Sequence, residues 1–249
     1  MDRETDVVPP VPQGLDPFGR WFEWAFRRFG ERWSVWVLQG LAATGLLLLW
    51  LLVIAGSILG FLGGIGLLAN PDAEFPPRLI APFVVMIVVL SLLTLPLFSF
   101  LLAGLINTAL KQARGEAISV GDLFSAGWAT LPVLGALLLV GFIVAVGFSF
   151  FFLPGLILAA FTWLTVPLIV TRRMGVIEAL QMSFTIVARN FWLFLLYTLV
   201  AGLIVSVLDA FGLILTGPAL ALFPVAVIAD LYGIARQQPA AGEEPGMAA

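Results

Sequence analysis

Residues 153–192, LPGLILAAFTWLTVPLIVTRRMGVIEALQMSFTIVARNFW, decide how the chain is read. A Pro154-Gly155 pair opens an apolar run of membrane length, and the run ends at Arg172-Arg173. About 20 apolar residues suffice to cross the hydrocarbon core of a bilayer. A short segment follows, from Gly175 to Asn190. Its apolar Ile177, Leu180, Met182, Phe184 and Val187 alternate with Glu178, Gln181 and Arg189, and Phe191-Trp192 then begin another apolar run. One unit of a membrane protein is legible here: turn, span, basic stop, amphipathic segment, next span.

Composition extends this to the whole chain of 249 residues. Hydrophobic residues make up 61% and charged residues 11%, with a mean hydropathy of +1.09. A soluble domain carries about 25% charged residues, so this chain cannot clothe a water-facing surface. With no Cys and no His, disulfides, thiolate and imidazole catalysis and the commonest zinc ligands are excluded. No metal or cofactor is expected, and nothing suggests nucleic-acid binding. FLGGIGLL (residues 61–68) is glycine-rich, but it lacks the Lys-Ser/Thr that a phosphate-cradling loop needs.

The expected fold is all-α, with six transmembrane helices. The first runs from about Val37 into the 60s, the second from about Leu79 to Leu110, and the third from about Leu131 to Phe152. The fourth is entered through the Pro154-Gly155 turn and ends at Arg172; the fifth covers Phe191–Leu208 and the sixth about Leu213–Ile234. Asn70-Pro71-Asp72 and Pro76-Pro77 break the chain between the first two. Gly56, Gly60 and Gly64, four residues apart, offer a face on which another helix can approach closely. Residues 1–15, acidic and Pro-rich without a cleavable leader, and 237–249 read as disordered cytoplasmic tails.

Ahead of the first span, Asp16 to Trp36 forms an amphipathic helix. Its Phe18, Trp21, Phe22, Phe29, Trp33 and Trp36 would settle at headgroup level, while Arg20, Arg27, Arg28 and Arg32 reach an anionic lipid surface. A second amphipathic helix opens at Ser119, whose pairing with Asp122 fits a capping box. No His and no obvious Lys base accompanies them for serine chemistry. Amphipathic segments at Asp16, Ser119 and Gly175, each followed by two spans, suggest three repeats, at about 16–111, 112–174 and 175–236 within a membrane domain of 16–236. Pro96, Pro167 and Pro224 fall in the second span of each, where kinked helices could surround a shared cavity.

Six spans place Arg3, Arg20, Arg27, Arg28, Arg32, Lys111, Arg114, Arg172, Arg173, Arg189 and Arg236 on one side and Arg78 alone on the other. The positive-inside rule then sets both termini in the cytoplasm. Asp209 and Asp230 are the candidate intramembrane acids, with Asp230 expected to pair with Arg236 or the Arg172-Arg173 pair.

The segments LINTALKQARGEAISVGDLF, FFLPGLILAAFTWLTVPLIV, GVIEALQMSFTIVARNFWLF and GPALALFPVAVIADLYGIAR together resemble the prokaryotic YciC-like and glycerophosphodiester phosphodiesterase membrane-domain group of integral membrane proteins. The positions that carry the likeness are Gly115, Asp122, Phe124, Pro154, Gly155, Glu178, Ala179, Ser183, Asn190, Tyr232 and Arg236, within about Arg20 to Arg236. The resemblance implies six helices with both termini inside the prokaryotic cytoplasmic membrane. It implies that Glu178 and Ser183 position helices, and it carries no catalytic role, since the phosphodiesterase domain of some such proteins is not recognisable here. The function expected is a non-enzymatic scaffold that organises lipid, anionic on the cytoplasmic face, or a membrane protein partner. The alternative is a carrier or flippase-like transporter of a hydrophobic or amphiphilic molecule.

Overall fold

A computed structural model describes residues 9–12, 14–65, 70 and 75–234. Arg3, Arg236, the 237–249 tail, most of the N-terminal tail and the Pro71-Asp72 break lie outside these. Among the described residues the chain is all-α, and six helices are long and apolar enough to cross a membrane. It is a multi-pass membrane protein.

Helix α1 (Asp16–Glu31) precedes the first span, α2 (Trp33–Gly64). Spans two and three are α3 (Ile80–Ala113) and α4 (Thr130–Phe150). The fourth span is divided into α5 (Phe152–Thr162) and α6 (Thr165–Arg172). Then come α7 (Val176–Arg189), α8 (Phe191–Leu208) and α9 (Leu213–Leu231).

The core forms around α9, which packs against α1, α2, α3, α6 and α8. Its most apolar window is 72% buried, against 0% for that of α2, so the last span is the hub and the first is a lipid-facing wall. Small residues suit α9 to this role: Gly217, Ala219, Ala221, Ala226 and Ala229 are buried, and small side chains let helices pack closely where lipid is as apolar as leucine. Leu48, Leu49, Leu51 and Leu52 of α2 stay exposed, as a lipid-facing surface should.

The glycines that set helix approach are not those of the Gly56, Gly60 and Gly64 series. A methyl added at any of these meets nothing within 4 Å among the described residues. Close contact occurs instead at Gly40, whose added Cβ would lie 2.5 Å from the Ile214 backbone, at Gly147 against Gly155, and at Gly104 against the Leu123 carbonyl.

Three other expectations are revised. The segment from Ser119 forms two single 3-10 turns, Val120–Phe124 and Gly127–Ala129, in place of an amphipathic helix. Gly121 and Gly127 disfavour a longer helix, and the turn's Leu123 lies directly on Gly104. Pro154 and Gly155 do not make the turn: the chain reverses at extended Phe151, and Pro154 falls in the first turn of α5, where no amide donor is needed. Finally, α3 runs unbroken through Pro96, while α9 contains Pro218 as well as Pro224.

Candidate functional site

One end of the bundle gathers the basic residues, and polar side chains tie it together. Trp36 donates its indole N–H to Gln112 (2.9 Å), and Gln112 donates to the Arg28 carbonyl (2.6 Å). That carbonyl lies in the last turn of α1, where helix acceptors lack partners of their own, so α3 holds the end of α1. Gln39 donates to Thr108 and to the Ser119 carbonyl (3.1 and 2.8 Å). Asp122 accepts from the Ser119 amide at 2.7 Å and from the Lys111 ammonium. Lys111 is thus brought to Asp122 from eleven residues upstream, and with the Ser119 hydroxyl also donating to this carboxylate at 3.2 Å the group pins a loop. The Arg172 guanidinium lies 4.5 Å over Tyr232, and that of Arg173 lies 4.8 Å over Trp128. Burial pushes the Tyr232 phenol up, an effect the Arg172 charge partly offsets.

Helix α1 was expected on the lipid surface. Its Trp21 is instead 1% exposed, with Tyr197 edge-on at 5.2 Å and Phe194 at 5.7 Å. Phe22 lies 4.6 Å from the same Tyr197 with its ring tilted by 38°. The indole N–H of Trp21 donates to Asp230 at 2.9 Å, and Arg20 stands 3.8 Å from the same carboxylate oxygen. Among the described residues α1 therefore supplies partners for Asp230; Arg236, one of those expected from the sequence, lies outside them. An indole that can reach a charged acceptor is better satisfied in the core than at an interface. Trp33 is 60% exposed, as a surface aromatic would be.

Between α1 and α9 this leaves a cavity of about 250 Å³, lined by Arg20, Trp21, Glu23, Trp24, Arg27 and Asp230 among others. The Trp24 indole N–H is buried without a hydrogen-bond partner among the described residues. Two guanidinium groups beside two carboxylates can bind a phosphate, and an ammonium beside it. Arg28 pairs with Glu31 at 2.9 Å and does not line the cavity. No protein-family model, curated protein or solved structure matches the chain.

The prolines converge only in part. Pro167 and Pro224 line a second, apolar cavity of about 260 Å³ between α3, α4, the α5–α6 pair and α9, with Leu102 and Ile106 as the α3 contribution. Pro96 lies away from it. The break in the fourth span is at Trp163-Leu164, four residues before Pro167, because the proline ring clashes with the carbonyl four residues back and supplies no donor to it. Ser183 of α7, fully buried, closes the gap: its hydroxyl donates to the Phe161 carbonyl at 2.6 Å and accepts from the Leu164 amide at 3.3 Å.

The remaining predicted positions lie apart. Asp209 is exposed in a 3-10 turn at the opposite end. Gly115 has φ +77° and ends α3. Phe124 is 47% exposed beside Phe100. Glu178 accepts from the Gly175 amide at 3.2 Å and caps α7, while Ala179 is buried on that helix. Asn190 donates to the carbonyls of Pro12 and Gly14 at 2.8 and 2.9 Å, so the tail expected to be disordered is held where it is described. Gln39, Gln112 and Tyr197 were not singled out from sequence. A buried glutamine inside an apolar run was the available signal.

Proposed function

We propose that the protein is a non-enzymatic scaffold of the prokaryotic cytoplasmic membrane, and that its basic end gathers anionic phospholipid on the cytoplasmic side. The observation that carries this is the docking of α1 by Trp21 on Asp230, which leaves Arg20 and Arg27 lining one cavity. A phosphodiester accepts from guanidinium N–H groups. Of 12 basic residues, all but Arg78 fall on this side of the threading, which supports a cytoplasmic orientation of both termini. The likeness of the sequence segments to the YciC-like group supports the same topology, and the threefold repeat remains part of this reading.

The test uses the full chain in nanodiscs with spin-labelled phosphatidylglycerol or phosphatidylcholine, reading the immobilised fraction of each. A basic residue near an anionic surface contributes about 1 kcal/mol. Arg20→Gln with Arg27→Gln should therefore reduce the preference for phosphatidylglycerol by roughly tenfold or more at low salt. An unchanged preference would refute the proposal. A second reading, a carrier for an amphiphile, is favoured by the apolar cavity that Pro167 and Pro224 share.

A further inference from the structure

The proline-rich segment ahead of α1 is bound at a corner of the fold. Asn190, the single residue between α7 and α8, donates from its side-chain nitrogen to the carbonyls of Pro12 and Gly14 at 2.8 and 2.9 Å, a use for both protons of a primary amide. Arg189 beside it donates to the Pro9 carbonyl at 3.4 Å. Pro9 and Val11 are buried and Pro10 between them is exposed, and Val11 belongs to the apolar core. An asparagine between two helices ordinarily serves as a cap. The Asn190 side chain makes no capping bond to α8; its amide is given to the segment.

The chemistry of the two sides matches. Pro9, Pro10 and Pro12 have no amide proton, so residues 9–12 present four carbonyls and one backbone donor, that of Val11. Arg189 and the Asn190 nitrogen supply the donors. Proline also presets the extended form: its own φ is fixed, and the residue before it is held out of the helical region. Pro9, Pro10, Val11 and Pro12 are all restricted in one of these ways, so little freedom is lost on binding. Main-chain carbonyls and alternate buried side chains are the handles by which extended peptides are bound in general. The segment can also leave. Arg189 is exposed and Asn190 half-buried, so water takes over both donors and no polar group is stranded. Gly14, at φ +82° and with nothing within 4 Å of an added Cβ, gives a pivot. Elements tied by a few solvent-accessible hydrogen bonds open first.

We propose that the α7–α8 corner is a binding site for an extended, proline-spaced peptide, that residues 9–12 with Gly14 of this same chain are its occupant, and that the occupant is displaceable. Because α1 starts two residues beyond Gly14, the bound segment ties the first turn of α1 to the first turn of α8. A peptide of the same chemistry offered in trans takes the corner and frees that tie. The inference does not rest on the headgroup reading, which concerns Arg20 and Arg27.

The experiment uses the full chain in phosphatidylcholine nanodiscs. A nitroxide is attached at Pro10→Cys, an exposed position in a chain without cysteine, and its mobility is read by electron paramagnetic resonance. In the otherwise unaltered chain the label should be immobilised. Asn190→Asp keeps the side chain's shape and its fitness as a helix cap but puts an acceptor where the carbonyls need a donor. It should raise the mobile-to-immobile ratio by roughly tenfold or more, the loss of two hydrogen bonds. The peptide VVPPVPQG, the sequence of residues 7–14, should release the label at a concentration on the order of millimolar, which is needed to compete with a segment tethered beside its site. The peptide VVGGVGQG, in which the restraint of the prolines is gone, should not release it at that concentration. A label that is mobile before any change at Asn190, or no more mobile with Asn190→Asp, overturns the assignment of the segment to the corner. A held label that neither peptide releases overturns displacement, and release by both peptides alike overturns the selection of proline. Should Asn190→Asp fail to fold, the two peptides acting on the chain with Asn190 intact still decide.

Discussion

Replacing Ser183 by Ala removes the one side chain that serves both broken ends of the fourth span. The Phe161 carbonyl loses a 2.6 Å donor and the Leu164 amide a 3.3 Å acceptor, at a site with no solvent access. Leaving a buried backbone group unsatisfied costs about 1–3 kcal/mol. Measured side-chain hydrogen bonds between membrane helices average about 0.6 and reach about 1.7 kcal/mol. The short bond to Phe161 belongs at the upper end of that range and the long one to Leu164 adds little, so the expected loss is about 1.5–2 kcal/mol, roughly a factor of 10–30 in the unfolding equilibrium. Unfolding by dodecyl sulfate in mixed micelles, followed by tryptophan fluorescence, measures it. Thr185→Ala and Ser206→Ala are the controls, since both hydroxyls are exposed and donate to the carbonyl four residues back on their own helix; they should shift stability by less than about 0.5 kcal/mol. In a Pro167→Ala background the restored amide can re-form the turn, and the cost of Ser183→Ala should shrink. If Ser183→Ala falls with the controls, the serine does not hold the break.

Other substitutions probe the remaining contacts. Gly104→Ala drives a methyl into the Leu123 carbonyl, where backbone must move, so it should cost at least about 1–3 kcal/mol or prevent folding; Gly60→Ala meets nothing and should gain about 0.5–1 kcal/mol from helix propensity, both read in the same unfolding assay. Asp230→Ala leaves the Trp21 N–H without its carboxylate and should loosen α1 by about 1–2 kcal/mol, seen as faster tryptic cleavage at Arg27, Arg28 and Arg32 with the spans intact. Arg173 holds a left-handed φ of +54°, so Arg173→Gly should relieve about 1 kcal/mol of strain while losing a cation–π contact of about 0.5–1 kcal/mol, a near balance; Arg173→Ala keeps the strain and should be the less stable of the two.

The six spans were legible because each is an apolar run of membrane length, a property of composition that needs no partner. What the sequence could not show depended on distant residues. Trp21 sits in an aromatic and arginine-rich helix that suits an interface and a core equally, and its acceptor lies 209 residues away. Pro167 was visible, but its effect falls four residues upstream and is stabilised by a serine on another helix. The four-residue spacing of Gly56, Gly60 and Gly64 suggested a contact, whereas the glycines that make contacts, Gly40, Gly104 and Gly147, follow no period because each meets a different neighbour. The helix expected at Ser119 was misread because its capping signal is real but closes only a single 3-10 turn, with glycines on either side of Phe124.

That the arginine-bearing end faces the cytoplasm is the premise of the headgroup reading, and labelling tests it most directly. The chain has no Cys, so single cysteines can be introduced at Arg78, Glu116, Gln181 and Ala210, all exposed, and probed in intact cells with a membrane-impermeant maleimide. Labelling of the Arg78→Cys and Ala210→Cys proteins, with Glu116→Cys and Gln181→Cys reacting only after the membrane is opened, is the predicted result. Reaction of Glu116→Cys or Gln181→Cys in intact cells would contradict it.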